Sequence, residues 1–524
     1  MGKRNSNILL RGSVIVIIIT LFAKVVSFGR DMLLARYFGA TAISDVILTS
    51  TTVLLLLTTF VRSAFAAAYL PIATDAYLLG DDEKKRIFFG SVYGTALVVG
   101  LLLMVLEALL LDPLIHLFLP GFKGASFTIL KHMMLIQLPV IPLSFLGVVN
   151  SGNLRLLNKF GFSEISNGLI ALFYVVYLLV LRYDSSAYGL SICIVFAYMA
   201  SFVVSYIVVV KSGIKEKWIF KYESIKAEMK TIFLAMLPFM LASGAKEINV
   251  FIDKAIASLL DAGSITMQSY ASKITVTEVG LIAGAISLVI FSQVSKLNSL
   301  NDKTEMQKTV KMGLRFVNTL IIPCCFLTIL FKNEIISILF GHGAFTQENV
   351  KITANTMMIY AVGIFGIGIE DVLLYTMYAT KHRIFPTIVS IVSIFLNLAL
   401  NLLLYKPLGI YGLALASSIV AIVKIPFYML YVNKNVTSFV NDKDLWLDCF
   451  KVFLSSFVVF FVGKCLKGSF SEMGLSRNAC FSITGTVSII AIFAMLLMFK
   501  NEYAVGGIRY LKKKIFRDTK RTEC

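Results

Sequence analysis

The chain has 524 residues, 58% of them apolar and only 15% charged, with a mean hydropathy of +0.83. A soluble fold of this length cannot cover so much apolar surface with so few charges, so lipid must be the solvent for most of it. The excess of 49 basic over 30 acidic residues, +19 at neutral pH, therefore reads as orientation in a bilayer, and a nucleic-acid partner is excluded.

Apolar runs between polar turns predict spans at residues 13–36, 43–62, 87–111, 127–149, 165–181 and 188–210. A second series follows at 231–252, 274–295, 313–331, 354–379, 384–404 and 410–432, and two last runs at 448–463 and 480–499. A span needs about 20 residues to cross the ~30 Å hydrocarbon layer, and every run is of that order. Tyr188-Gly189-Leu190 opens the sixth span and Tyr411-Gly412-Leu413 the twelfth, at an offset of 223 residues. An even repeat preserves orientation, so the reading is an all-α polytopic membrane protein of about 14 transmembrane helices. Two parallel six-helix repeats, residues 1–211 and 225–434, are followed by a helix pair, 445–500, and a basic tail, 501–524.

More than half of the Lys and Arg residues fall in one set of alternate loops, together with the N-terminus and the tail. Both termini are therefore expected in the cytoplasm. Val14–Ala23 is apolar but leads into Lys24, Arg30 and Arg36, with no small-residue cleavage site, so the first span is expected to stay. The seven cysteines show no metal-type spacing, and neither disulfides nor a metal site is expected.

A charge inside a span costs roughly 2.5–3.5 kcal/mol on insertion scales and must face the bundle or a wet cavity. Such charges cluster on the first span and its exit (Lys24, Arg30, Asp31, Arg36, then Asp45 and Arg62) and on the seventh and its flank (Lys246, Glu247, Asp253, Lys254, Lys273). The two spans hold equivalent places in the repeats, so their cations are expected to line one cavity suited to an anion such as a pyrophosphate. On an unbroken helix Lys24 and Asp31 share a face while Arg30 and Arg36 fall about 120° to either side. Ser27-Phe28-Gly29 is therefore expected to bend or unwind the first span. There is no Walker loop, no H-E-x-x-H and no G-x-S-x-G elbow. Transport without an ATPase domain must then draw on the membrane potential or on a sodium or proton gradient, and Asp253, Glu278, Glu370 and Asp371 are the candidate coupling residues.

The run Phe28-Gly29-Arg30-Asp31, then Ala35-Arg36-Tyr37-Phe38-Gly39-Ala40, then Asp45 and Tyr69-Leu70-Pro71, resembles the signature of the MurJ (MviN) lipid II flippase family. That family lies in the multidrug/oligosaccharidyl-lipid/polysaccharide exporter superfamily. Tyr270-Ala271-Ser272-Lys273, Leu339 to Thr346 and Tyr378 to Pro386 are similar in register. The resemblance implies fourteen helices, alternating access and a cationic cavity for the pyrophosphate and sugar head group of a polyprenyl lipid. By that likeness Lys24, Arg30, Asp31, Asp45, Arg62 and Lys273 are the substrate-binding candidates. Lys24 and Lys273 stand where the family usually has arginine, and Leu57 and Thr58 fall where it has another, for which Arg62 is the substitute. Asp253 matches an acid that seats sodium in some relatives, whereas His382 stands where an aspartate is common.

The expected function is movement of an undecaprenyl-pyrophosphate-linked sugar, the peptidoglycan precursor lipid II, from the inner to the outer leaflet of a bacterial plasma membrane. No catalytic residues and no cofactor are expected. The alternatives are a flippase for O-antigen or capsular repeat units and, further off, a multidrug cation exporter or a membrane glycosyltransferase or polymerase.

Overall fold

A computed structural model describes residues 2–184, 186–214, 226–440, 442–473 and 476–499, and among these every regular element is helical. The chain divides into two compact units. The first is Met1–Thr266 with Phe340–Thr346, and the second is Met267–Leu339 with Gln347–Cys524.

The first unit holds α1 (Gly2–Phe38), α2 (Ala42–Leu54), α3 (Leu56–Leu79), α4 (Asp82–Phe118), α5 (Ala125–Gln137), α6 (Val140–Leu156), α7 (Phe160–Leu181), α8 (Ala187–Lys211) and α9 (Lys226–Ala257). It also holds the start of α10 (Ser264–Val279). The second unit continues α10 through a π-helical turn, Gly280–Gly284, into α11 (Ala285–Ser299). It then runs through α12 (Lys303–Leu330), α13 (Lys332–Phe340), α14 (Gln347–Ala379), α15 (Ile384–Leu408), α16 (Ile410–Asn435), α17 (Lys443–Glu472) and α18 (Arg477–Met498).

Among the described residues ten helices are long and apolar enough to cross a membrane, or eleven if the bent pair α5 and α6 counts as one span. The charged helix α1, the α2–α3 pair and α9 occupy the first, second and seventh places, so the order of elements follows the order of the apolar runs. Large apolar side chains such as Leu102, Leu109, Phe196, Phe395, Leu403 and Phe450 are exposed, a surface that only lipid can cover.

Breaks in the spans have local causes. Pro139 has no N–H to donate, and α5 meets α6 there at 48°. The second span is interrupted at Leu55. On either side of it Thr52 and Thr59 donate back to Leu48 O and Leu55 O, at 2.9 and 3.0 Å, the back-bonding by which threonine bends a helix. The first span, by contrast, is not broken. α1 stays helical through Ser27, Phe28 and Gly29, which corrects the expected unwinding. One glycine costs a helix about 1 kcal/mol, whereas opening the ladder in lipid strands backbone groups at several kcal/mol each. A Cβ at Gly29 would meet nothing within 4 Å, so no close neighbour requires the glycine.

The first unit is tied by a buried polar network. Tyr69 of α3 donates to Asn153 Oδ1 and Tyr93 of α4 to Asn150 Oδ1, both at 2.6 Å, while Asn153 Nδ2 reaches Tyr93 Oη at 3.1 Å. Asn150 Nδ2 donates to Ser205 Oγ of α8 at 2.7 Å. Each polar group is satisfied, so the network fixes helix register at little cost. The segment Phe340–Thr346 joins this unit at the exit of α1. Ala344 N donates to Arg36 O at 2.8 Å. Gly343, at φ +65°, lies so close that a Cβ would come within 2.3 Å of the same carbonyl.

In the second unit α14 packs on α16 through small residues. A Cβ on Gly366 would come within 2.7 Å of Ala421 O, and Ser418 donates across the pair to Ile359 O at 2.8 Å. Ion pairs pin α17 at both ends. Lys467 meets Glu334 at 2.9 Å. At the other end Lys311 meets Asp442 at 2.5 Å, and Arg315 lies 3.7 Å from Asp442 and 3.5 Å from Asp448. The Lys311 ammonium bonded to Asp442 holds that carboxyl below the ordinary carboxylate range. A depressed folded value means that the stabilisation is complete above the unfolded value of about 3.9 and is lost as pH falls through the folded one. Thermal melts across pH 6 to 3 should therefore show an acid flank that Asp442→Asn flattens; an unchanged flank in the variant would assign it to other carboxylates.

Candidate membrane-embedded binding site

The first unit gathers charge and hydrogen bonds around α1, α2, α7 and α9. Arg30 and Asp31 are consecutive on α1, and the guanidinium turns back on its neighbour: Nε donates to Asp31 Oδ1 at 2.8 Å and Nη2 lies 2.6 Å from the same oxygen. Asp31 is buried at 2% exposure, whereas the Arg30 side chain keeps 26% of its surface. The Arg30 Cζ stands 5.5 Å from the centroid of the Tyr174 ring of α7, within cation–π range. An aspartate and an aromatic face thus hold the guanidinium in place and leave part of it accessible.

Lys24 lies six residues earlier on α1, about 9 Å along the axis at ~1.5 Å per residue. It is half-buried and forms no ion pair among the described residues. A lone ammonium at that depth is costly and marks a polar path.

Asp45, one of the substrate-binding candidates, is committed elsewhere. It is 5% exposed, and its oxygens accept from Gly263 N at 2.7 Å, Thr266 N at 2.7 Å and Thr266 Oγ1 at 2.6 Å. The two amides lie just before and in the first turn of α10, where N–H groups have no partner within the helix. A carboxylate placed there caps the helix and meets the positive end of its dipole.

A residue outside the substrate-binding candidates belongs to the same region. Lys254 of α9 donates to Leu48 O at 3.2 Å and to Thr52 Oγ1 at 2.9 Å, one turn before the interruption at Leu55. Its sequence signal was a lysine among the charges of the seventh span, but its partners are a carbonyl and a hydroxyl, which carry no charge pattern to match. Gln137, fully buried, completes the region: it accepts from Thr51 Oγ1 at 3.0 Å and donates to Ser50 Oγ at 3.2 Å and Ser191 Oγ at 3.0 Å.

Arg36 is exposed at the end of α1, 6.0 Å from the Tyr37 ring centroid. The side chains of Arg62 and Lys246 lie outside the described residues. Asp253 is half-buried near the end of α9. In the second unit Lys273 is half-buried on α10, and Thr277 donates to its carbonyl at 2.7 Å. Glu278 accepts from Thr328 at 2.8 Å through Oε1, and its Oε2 is buried without a partner. Glu370 is paired with Lys424 at 2.6 Å, and its neighbour Asp371 is half-buried. No group of three His, Cys, Asp or Glu side chains suited to a metal ion occurs among the described residues.

A family profile described as Lipid II flippase MurJ matches residues 34–478. A probable lipid II flippase MurJ from Buchnera aphidicola is 26% identical over 500 residues, covering 92% of this chain and 96% of the relative. Among solved structures, one of the lipid II flippase MurJ in an inward closed conformation superposes with a TM-score of 0.77 at 23% identity, over 94% of this chain and 99% of the other. An inward-facing multidrug resistance MATE transporter of the MOP superfamily gives 0.64 at 12% identity, over 80% and 98%. The shared fold is that of a multi-span helical membrane protein. With a match over most of its length, the chain belongs to the MurJ lipid II flippase family.

Proposed function

We propose that this protein carries lipid II, an undecaprenyl-pyrophosphate-linked sugar, from the inner to the outer leaflet of the bacterial plasma membrane by alternating access. The observation that carries the reading is the guanidinium of Arg30, held on α1 by Asp31 and Tyr174 yet partly accessible, with Lys24, which has no ion pair among the described residues, along the same helix. A diphosphate needs cations in a low-dielectric setting. Arg30 supplies a fixed fork and Lys24 a mobile point charge. Arg62 and Lys273 are proposed to complete the grip. Neutralising their mutual repulsion then favours the conformation that closes over the ligand, a shift set by the ligand's differential affinity for the two states.

Translocation makes and breaks no covalent bond, so the protein is a carrier and not an enzyme. Its two six-helix repeats are 1–211 and 225–434, with 445–500 as the added pair, and both termini face the cytoplasm, as the excess of basic residues in alternate loops supports. The membrane potential or a sodium or proton gradient drives it, with Asp253, Glu278, Glu370 and Asp371 as the acids available for coupling. Expression in a bacterium depleted of its own lipid II flippase should restore growth. Failure to do so by a well-inserted protein, with rescue of an O-antigen or capsule flippase mutant instead, would move the substrate to another lipid-linked sugar.

A further inference from the structure

The first unit contains a cavity of about 560 Å³ that the cationic site does not use. It lies among α3, α6, α7, α8 and α9, and its wall is dense in hydroxyls, including Ser144, Ser151, Ser163, Ser166, Ser201 and Ser205. That volume is typical of a small-molecule site.

The wall has a definite hydrogen-bonding sense. Ser201 spends its proton on Ser166 O at 2.8 Å, and Ser205 spends its own on Phe202 O at 2.9 Å. Ser151 and Ser163 share one proton at 2.7 Å. Oxygen lone pairs therefore outnumber free donors around the space. Ser144 Oγ is buried with no hydrogen-bond partner among the described residues, so it is open to a ligand. Two charged side chains line the cavity, Arg155 and Glu247, and neither hydrogen-bonds to another described residue. Their charges cancel, so the space has no preference for an anion. Tyr198 and Phe202 add aromatic faces.

An acceptor-rich, charge-balanced cavity with aromatic walls suits a neutral ligand that brings its own O–H and N–H donors and has an apolar ring face. We propose that this cavity binds the saccharide of the transported lipid, a mono- or disaccharide, apart from the residues that hold the diphosphate. This rests on the reading of the protein as a carrier of lipid-linked sugar, and it assigns the sugar a place in the first unit.

Equilibrium binding to the purified full-length protein tests it with three probes: a polyprenyl pyrophosphate bearing a disaccharide, the bare polyprenyl pyrophosphate, and the free disaccharide N,N′-diacetylchitobiose. Ser144→Leu fills the cavity without removing a hydrogen bond, and Glu247→Ala removes its charged acceptor. Each variant should weaken the sugar-bearing lipid at least tenfold and abolish the free sugar's binding, while the bare lipid binds within twofold of wild type, which also shows that the fold is intact. Wild-type affinity of both variants for the sugar-bearing lipid, or an equal loss for both lipids, would overturn the proposal. If the wild type binds the free disaccharide but neither lipid, the cavity assignment stands and the carrier reading falls.

Discussion

Arg30→Ala is expected to abolish lipid translocation while leaving the protein inserted and folded. The guanidinium meets one oxygen of Asp31 through two nitrogens and lies over Tyr174. Its loss leaves a buried acid, 2% exposed, without the cation next to it in the chain. That imbalance repels the diphosphate as well as removing its partner, so the effect on binding should exceed that of losing a single charge-assisted contact, which is worth about 1.5–3 kcal/mol or roughly 10- to 100-fold. Arg30→Lys separates the two parts: it keeps the charge and loses the fork, and should retain binding at a reduced level. Leaflet exchange of a labelled lipid in proteoliposomes measures both, with orientation checked by protease access. Normal exchange by Arg30→Ala at wild-type abundance would remove the cationic site from the mechanism.

How far the sequence discloses this architecture depends on the kind of interaction involved. Apolar runs must become helices in lipid because no other segment satisfies its own backbone, so the order of elements could be read directly. The helices then overrun the predicted spans, as α4 does by extending from Asp82, just after its cap Asp81, through Pro113 to Phe118, around residues 87–111, because a helix already formed in lipid continues until its end groups find caps. Glycine was a poor guide to interruption: the break lies at Leu55, among threonines whose hydroxyls bond back to the preceding turn, and not at Gly29.

Charged residues were legible as a set, since each is expensive in a span, but not in their partners. Arg30 and Asp31 are neighbours in the chain and could be paired by inspection. Lys254 could not, because it ends on a carbonyl and a threonine about two hundred positions away. The serine-lined cavity left no signal either. Serines are common in apolar helices, and only the fold brings those of α6, α7 and α8 to one wall.

Asp45 shows the same limit with a larger consequence. Its partners, Gly263 N and Thr266 N, are backbone groups that any residue could supply. Asp45→Ala should cost about 2–5 kcal/mol, because two buried amides lose their acceptor at about 1–3 kcal/mol each and the positive end of α10 loses its counter-charge. Asp45→Asn keeps an acceptor for one of them and should fall between. Thr266→Val retains both amide bonds and removes only the hydroxyl's contacts to Asp45 Oδ1 and Ser44 Oγ, so its loss should be the smallest of the three. Melting temperatures in detergent rank the variants, and the same samples in the exchange assay separate two roles. If Asp45 is a cap, translocation falls in step with stability, whereas if it also touches substrate, Asp45→Asn loses exchange while its melting temperature stays close to wild type.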